Sequence, residues 1–592
     1  VTKTALRRGS DAKARILETI VNSRTSGKSI FPGLRKKVFL REYFADVPVE
    51  DLEGRQAGIM AHVALDHLAF GATRTKDQAL LRIYNPSEKQ QGYASNFTII
   101  EMINDDMPFL VDSVTAAINR QDLAVHITVH PVFKVERDGR GRMQSLTTRD
   151  GKKGALESFI RIAIDRETDP QQLKLVEHEI TKVLSDVRVA VRDWRAMRAK
   201  MEQARTTLES GPANFDESLR EESHALLQWM IEDRFTFLGY REYRLSYRGE
   251  RVFLKAVPGS GLGLLTKDER GGVTTELTKE TRRLARSKDW LIITKANSRS
   301  TVHRHTYLDY VGVKLYDKTG KPIGEHRFIG LFTSAAYSES PQHIPLLRHK
   351  VQRVLDRAQV QPGGHRGKAL MHILDTFPRD ELFQSSVSDL ARTTLGVLNL
   401  QDRQRVRFFL RRDTFRRFFS CLVYVPREKY TTAVRRKMES ILKEAFEGTA
   451  VDSSVQISDS PLARVHIIVR TAPGERPRVS INQIEANIAA VVVTWQDRIR
   501  TELVESFGQE EGHRLHRLYG HVFPAGYQED TEPRDACSDI NHIDRMRQAG
   551  TMLSVNLYRP ADAESGDVSF IVYSDEHPLT LSDALPILEN MG

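Results

Sequence analysis

Cysteine is nearly missing from this chain. It occurs twice in 592 residues, at Cys421 and Cys537, far apart in sequence. Two thiols cannot build a disulfide framework or a cysteine zinc site, which fits a protein of the reducing cytosol. Long apolar runs are missing as well: none approaches the ~18 residues that span a bilayer, so no membrane partner is expected. The amino-terminal stretch VTKTALRRGSDAKARILETIV is basic but has no continuous apolar centre, so it is not a secretory signal. There is no G-x-S-x-G, no H-E-x-x-H and no phosphate-binding P-loop. The nearest glycine cluster, Gly259-Ser260-Gly261-Leu262-Gly263, lacks the G-x-G-x-x-G spacing and no helix opens directly behind it. It reads as a loop rather than a dinucleotide cradle, so no cofactor is expected in this segment.

What is present is an ordinary folded composition, 40% apolar and 28% charged. Single cores stop growing near roughly 250–300 residues, so three or four domains are expected. The formal net charge is +10. Its densest patch is Arg403, Arg405, Arg407, Arg411, Arg412, Arg416 and Arg417. That run suits either a phosphate or nucleic-acid patch or a solvated helix face leading into a strand. The second reading is favoured, and nucleic acid is not expected as a partner, because no aromatic platform or groove-reading motif accompanies the arginines.

Two segments share one order of elements. In the first, Phe97 to Ile103 forms an apolar strand and Asn104-Asp105-Asp106-Met107-Pro108 an acidic loop. A helix follows with Leu110, Val114, Ala117 and Ile118 on one face. Pro108 is placed in its first turn. Strands are expected at Ala124 to Val135 and Ser158 to Ile164, then a long helix carrying Leu173, Val176, Ile180, Leu184, Val187, Val191 and Trp194. In the second segment Phe415 to Val425 is a strand and Pro426 opens a helix. Strands follow near Val451 to Ile457 and Leu462 to Val469, and one helix runs from Ile484 to Ile499. Both read β-α-β-β-α. A third copy starts near Met552, with Leu553, Val555 and Leu557 alternating and a helix from Leu581. That helix reads as interrupted at the chain end, and Val1 stands where a Met is expected, so the chain is expected to be truncated. Residues 225–345 are strand-rich and 341–412 look helical.

The loop acids Asp105 and Asp106 suit three roles: capping the helix, contacting a ligand's amino group, or acid/base chemistry by paired carboxylates. The pairs His126/His130 and His303/His305 would each share a strand face, but no third metal ligand is indicated, so no metal is expected. In the β-rich region Lys295, Asn297, Arg299, His303, Tyr307 and Asp309 lie close in sequence. They define no known constellation and are expected mostly at the surface or sheet edge.

The segment Phe97 to Arg120 with the strand after it resembles the ACT domain, a β-α-β-β-α-β module that commonly binds amino acids and regulates metabolic enzymes. Its first loop typically reads D-x-P-G-L-L. Here it reads Asp106-Met107-Pro108-Phe109-Leu110-Val111, with Phe109 in the place of the glycine that lets a ligand approach the backbone. Longer stretches resemble the amino-terminal half of the large bacterial NAD-dependent glutamate dehydrogenases: INDDMPFLVDSV, LIITKANSRSTVHRHTYLDYVGVK, FIGLFTSAAYSESPQHIPLLRHKV, ILDTFPRDELFQ and LSDALPILENMG.

The resemblance implies an α+β multidomain fold, with ACT-like (ferredoxin-like) modules flanking a β-rich middle domain and helical linkers. The expected divisions are a helical or extended region at 1–90, an ACT-like domain at 91–200, the β-rich domain at 201–345 and a helical linker at 346–404. A second ACT-like domain spans 405–508, and a linker with the start of a third spans 509–592. The resemblance also implies a parent enzyme that uses NAD to deaminate L-glutamate, with its catalytic residues beyond residue 592. This segment would then regulate or assemble that enzyme. Its partners would be its own catalytic domain, other subunits of a homo-oligomer and, where it regulates, an amino-acid or small-metabolite effector. The candidate ligand loop is Asp105, Asp106, Met107, Pro108 and Phe109. A pure oligomerisation scaffold, a nucleic-acid binder and an independent enzyme housed in 225–345 stay open as alternatives.

Overall fold

The computed structural model describes residues 3–23, 34–209, 211–212, 215–266, 274–400, 403–472, 477–558, 569–575 and 580–591. The chain separates into two compact units, Val1–Thr394 and Leu395–Gly592. The fold is α+β throughout, as expected.

The first unit opens on helices Lys3–Asn22, Lys36–Tyr43 and Ala57–Phe70 and then builds a six-stranded antiparallel sheet. Its strands are β1 (Leu80–Tyr84), β2 (Thr98–Asp105), β3 (Val125–Val129), β4 (Val132–Arg137), β5 (Met143–Thr148) and β6 (Ala155–Ile164). They run in the order β1-β2-β6-β4-β5, with β3 also on β6. The strand expected from Ala124 to Val135 is thus two. Pro131 has no N–H to give the ladder, and the chain breaks there. Both halves still pair with β6, Val129 opposite Arg161 and Val132 opposite Ser158.

β2 is buried along nearly its whole length because both sheet faces are covered. Helix Leu110–Asn119 and the long helix Pro170–Glu209 cover one face, joining Ile100, Met102, Ile160 and Ile162 in one apolar cluster. The amino-terminal helices cover the other, where Phe39, Leu40, Tyr43 and Leu68 pack against Ile103, Phe133 and Phe159. Two covered faces explain why β2 reads as a continuous apolar run rather than an alternation.

The middle sheet comprises β7 (Phe235–Arg248), β8 (Arg251–Ala256), β9 (Leu262–Gly263), β10 (Thr275–Glu276), β11 (Leu291–Arg299), β12 (Tyr307–Tyr316) and β13 (Pro322–Phe332). Its order is β10-β8-β7-β13-β12-β11, with β9 on β7. The boundary expected at 200/201 falls inside the helix Pro170–Glu209, which at 1.5 Å per residue is about 60 Å long. Leu238, Val302, Leu308, Ile329 and Leu331 of the β-rich region join the same apolar cluster as Ile100 and Val183. One core therefore runs from the first module into the β-rich region. Helices Leu347–Ala358, His365–Thr376, Arg379–Gln384 and Val387–Leu398 follow.

In the second unit, β14 (Arg407–Arg412), β15 (Phe418–Pro426), β16 (Gly448–Gln456) and β17 (Leu462–Thr471) form a sheet of order β14-β15-β17-β16. Helices Thr432–Ala445 and Ile481–Val492 pack on it. The arginine run, expected as a solvated helix face leading into a strand, contains the strand Arg407–Arg412 and a turn after it but no helix. Asp413 fixes that turn by accepting from the backbone N–H of Phe415 at 3.1 Å and of Arg417 at 3.2 Å. The expected helix Ile484 to Ile499 divides because Thr494 and Asp497 form a capping box that starts a new helix at Trp495. A hairpin of β18 (Leu553–Tyr558) and β19 (Ser569–Ser574) precedes helix Leu581–Met591.

Both complete modules carry a leading strand that the expected β-α-β-β-α order lacked. β1 lies beside β2, and β14 lies beside β15. Each module is therefore β-β-α-β-β-α, the first with its third strand split and a hairpin added.

Candidate functional site

β2 delivers the candidate loop. It ends at Asp105, and the helix begins at Leu110. Pro108 therefore precedes the helix rather than sitting in its first turn, and Phe109 is the residue before Leu110. Phe109 has φ 73° and ψ 1°, the left-handed region that glycine enters freely and a phenylalanine rarely does. Its carbonyl accepts from the backbone N–H of Ser113 at 3.0 Å and from the Ser113 hydroxyl at 2.5 Å. Its ring lies 5.0 Å from the His303 ring. The backbone N–H of His303 donates to the Ser113 hydroxyl at 2.8 Å, so the loop is held from the β-rich side as well.

The two loop acids enter separate internal networks. Asp105 accepts from Arg74 at 2.5 Å, and Arg74 also donates to Glu157 at 2.8 Å. Arg137 grips the two Glu157 oxygens at 2.7 and 2.8 Å. Arg74 and Glu157 are both buried. Asp106 accepts from the Ser158 hydroxyl at 2.7 Å, and His130 lies 3.0 Å from that hydroxyl. Burial holds the His130 imidazole below its ordinary value, with the Asp106 charge opposing. The acids are thus engaged one by one and do not face each other as a catalytic pair. Met107 packs on the apolar cluster of the first module.

Pro108 and Phe109 instead border a cavity of about 350 Å³ at the junction of the loop, the long helix and β7. The long helix contributes Ala190, Val191 and Trp194; β7 contributes Phe235, Thr236, Phe237 and Leu238; Asp233 and Thr333 complete it. The structure thus brings two of the five candidate residues to a cavity and the other three to the packing behind it.

The histidine pairs do not assemble. His126 meets Asp165 at 2.7 Å, whereas His130 lies beyond the end of β3 and faces Ser158. His303 and His305 sit in the connection between β11 and β12, not on a strand. His303 meets Asp112 at 3.1 Å, and His305 lies 3.0 Å from the Ser300 carbonyl. Among the described residues no group of three His, Cys, Asp or Glu side chains is placed to hold a metal. No helix among them is long and apolar enough to cross a membrane.

The glycines at 259–263 do not fit a dinucleotide. The N–H of Gly263 is taken by Asp193 at 2.8 Å. A Cβ on Gly263 would meet the Leu238 carbonyl at 2.3 Å, so this glycine serves the close approach of β9 to β7. The arginine run is engaged as well: Arg407 pairs with Glu485 at 2.8 Å and Arg417 with Asp413 at 2.9 Å.

One cluster went unseen in the sequence. Lys295 and Asp309, expected at the surface or a sheet edge, form an ion pair at 2.6 Å with Asp309 fully buried, and Asp380 approaches Lys295 at 3.1 Å. The backbone N–H of Phe332 donates to the other Asp309 oxygen at 3.1 Å. Burial pushes the Asp309 carboxyl up to about 6, with the Lys295 charge opposing. Burial also works against the Lys295 ammonium, but Asp309 and Asp380 outweigh it and hold its pKa above the ordinary lysine value. Asp380 comes from a helix far along the chain, so no local spacing could have revealed the cluster.

Comparison with known proteins places each module. Family models match in order along the chain: "Glutamate dehydrogenase, ACT1 domain" at 39–180, "helical motif 1" at 344–403, "ACT2 domain" at 407–496, "helical motif 2" at 502–546 and "ACT3 domain" at 552–592. The NAD-specific glutamate dehydrogenase of Halomonas elongata is 36% identical over 94% of this chain and 35% of its own length. That of Pseudomonas aeruginosa is 32% identical over 94% of this chain and 34% of its own length. That of Mycobacterium tuberculosis is 28% identical over 89% of this chain and 32% of its own length. The chain thus spans about a third of the curated relatives it matches.

Proposed function

Because this chain belongs to the family of large NAD-specific glutamate dehydrogenases, we propose that it is the regulatory and assembly segment of such an enzyme. The whole protein would convert L-glutamate, NAD and water to 2-oxoglutarate, ammonium and NADH. NAD and the reacting groups would be held outside these residues, whose Gly263 is committed to the close approach of β9 to β7.

The observation that carries the regulatory reading is the cavity beside Phe109. It lies where the first module's loop, the long helix and the middle sheet meet around one continuous apolar core. A small molecule seated there touches all three elements. It would shift the enzyme between states only to the extent that it binds one arrangement of them better than another.

The test is calorimetry on the 592-residue chain with a panel of amino acids and amines, alongside activity of the whole enzyme carrying Ala190→Trp, which fills the cavity. The reading expects a ligand that binds the chain and alters activity, and loss of both in the variant. Absence of heat with every ligand, together with unchanged activity in the variant, would sink it.

A scaffold without ligand is the second reading. Phe109 favours it, since a side chain stands where glycine would open the backbone. Sedimentation of the chain distinguishes this reading: a strict monomer with no affinity for the remainder of the enzyme argues against it.

A further inference from the structure

We propose that the cavity beside Phe109 binds an organic ammonium ion, an amine carried on an apolar or aromatic body. The inference rests on the reading of this cavity as an effector site and names the chemistry it takes.

The lining residues carry the argument. Phe109, Trp194, Phe235 and Phe237 supply four aromatic side chains, and Asp233 is the one charged residue among those lining the cavity. Aromatic faces attract cations through the ring quadrupole, and a carboxylate at the mouth supplies the opposite charge. Trp194 already shows this behaviour, with the Arg198 guanidinium 5.3 Å from its ring centre. No lysine or arginine is among the lining residues, so the carboxylate of Asp233 is the cavity's own charge. An amine is therefore selected over a neutral isostere, and over an acid most strongly.

The loop acids, which the sequence offers as contacts for an amino group, are taken: Asp105 by Arg74 and Asp106 by Ser158. Asp233 is not. Among the described residues its carboxylate has no hydrogen-bond or ion-pair partner. Its backbone is firmly set nonetheless. Helix Glu217–Trp229 ends in the kinked turn Met230–Arg234, where Asp233 adopts φ 61° and ψ 25°. Thr333 fixes that turn, its hydroxyl donating to the Asp233 carbonyl and its N–H to the Arg234 carbonyl, both at 3.0 Å. Aspartate is among the few non-glycine side chains that enter this left-handed region readily.

Three probes that share a benzyl body test the proposal on the 592-residue chain by calorimetry: benzylammonium, benzyl alcohol and phenylacetate. Benzylammonium is expected to bind, the alcohol to bind about tenfold more weakly and the acid weakest of all. Asp233→Asn is expected to bring benzylammonium down to the alcohol's affinity and leave the alcohol unchanged. Asparagine also tolerates the left-handed backbone, so the turn should survive, and an unchanged melting temperature checks it. Trp194→Leu, which keeps an apolar body without the ring, is expected to weaken the amine more than the alcohol. Equal affinity for the three probes, no binding of benzylammonium, or no loss in Asp233→Asn overturns the proposal. Amine-selective binding that leaves whole-enzyme activity untouched upholds this site and removes the effector reading. An activity effect of Ala190→Trp without amine selectivity does the reverse.

Discussion

Lys295 and Asp309 are direct partners across the β11–β12 ladder, and their side chains meet at 2.6 Å with Asp309 sealed from solvent. Asp380 closes on Lys295 from helix Arg379–Gln384, tying the helical segment to the edge of the middle sheet. The contact links β11 to the helix, which makes it a test of how the segments are joined.

The sign of its pH dependence follows from Asp309. Its carboxyl stands at about 6 in the folded chain; unfolded, it would sit near the ordinary value of about 3.9. The folded state therefore holds the proton more tightly. The contribution of Asp309 is fully present below about pH 4 and is lost as pH rises through 6. The wild type should gain stability relative to Asp309→Asn as pH falls from about 6 to 4, read as the difference in melting temperature. A difference that shrinks over that window would contradict the assignment.

Arg74 should be among the least replaceable side chains of the first module. It joins Asp105 and Glu157 beneath the candidate loop while almost wholly buried. Arg74→Met leaves Asp105 without its close partner and Glu157 with Arg137 alone. Removing one member of a buried pair typically costs about 3–5 kcal/mol. Thermal unfolding should show a loss of that order, and Arg74→Met with Asp105→Asn should recover part of it. A loss below about 1 kcal/mol, the range of exposed pairs, would mean that the network is not buried as described.

Phe109 should invert the usual order of glycine and alanine. Its φ of 73° strains any L side chain, so glycine relieves roughly 1 kcal/mol of backbone cost that alanine retains. Both substitutions lose the packing of the ring against His303. Phe109→Gly should therefore be more stable than Phe109→Ala by about 1 kcal/mol, whereas at an ordinary helical position glycine is the worse by a similar amount. Melting temperatures of the two variants decide it.

How far the sequence could be read follows from where each signal lies. Leu110, Val114, Ala117 and Ile118 face the core as their spacing predicts, because a helix packed on one sheet must keep one stripe apolar. β17 alternates cleanly and forms as expected. The leading strands were missed for opposite reasons: β1 is partly exposed along its whole length, and β14 lies inside an arginine run that masks its apolar positions. The break at Pro131 and the cap at Thr494 are single-residue decisions within stretches whose apolar pattern continues across them. At the candidate site the loop was legible and its acids were not, since Arg74 and Ser158 reach them only after folding. Asp233 carries no sequence signal, because its place at the cavity depends on the turn that Thr333 fixes.

The two modules should differ when cut out of the chain. Among the described residues, the apolar cluster of the second draws on positions between Val406 and Val492. The first module relies on Phe39, Leu40 and Leu68 over one sheet face. On the other, it shares its core with Leu238, Ile329 and Leu331. A fragment spanning 91–200 keeps helix Leu110–Asn119 and most of the long helix, but it loses the amino-terminal helices from one sheet face and the β-rich residues from the shared core. Burial of apolar surface stabilises by about 25 cal/mol per Å², so baring one whole sheet face draws directly on a small domain's usual margin of roughly 5–15 kcal/mol. The 405–508 fragment should give a dispersed amide spectrum and a cooperative melt. The 91–200 fragment should give neither unless extended to include residues 34–90 and the β-rich region. A well-folded 91–200 fragment would show that the module's core closes on itself, and the shared core would then be a contact between independent domains.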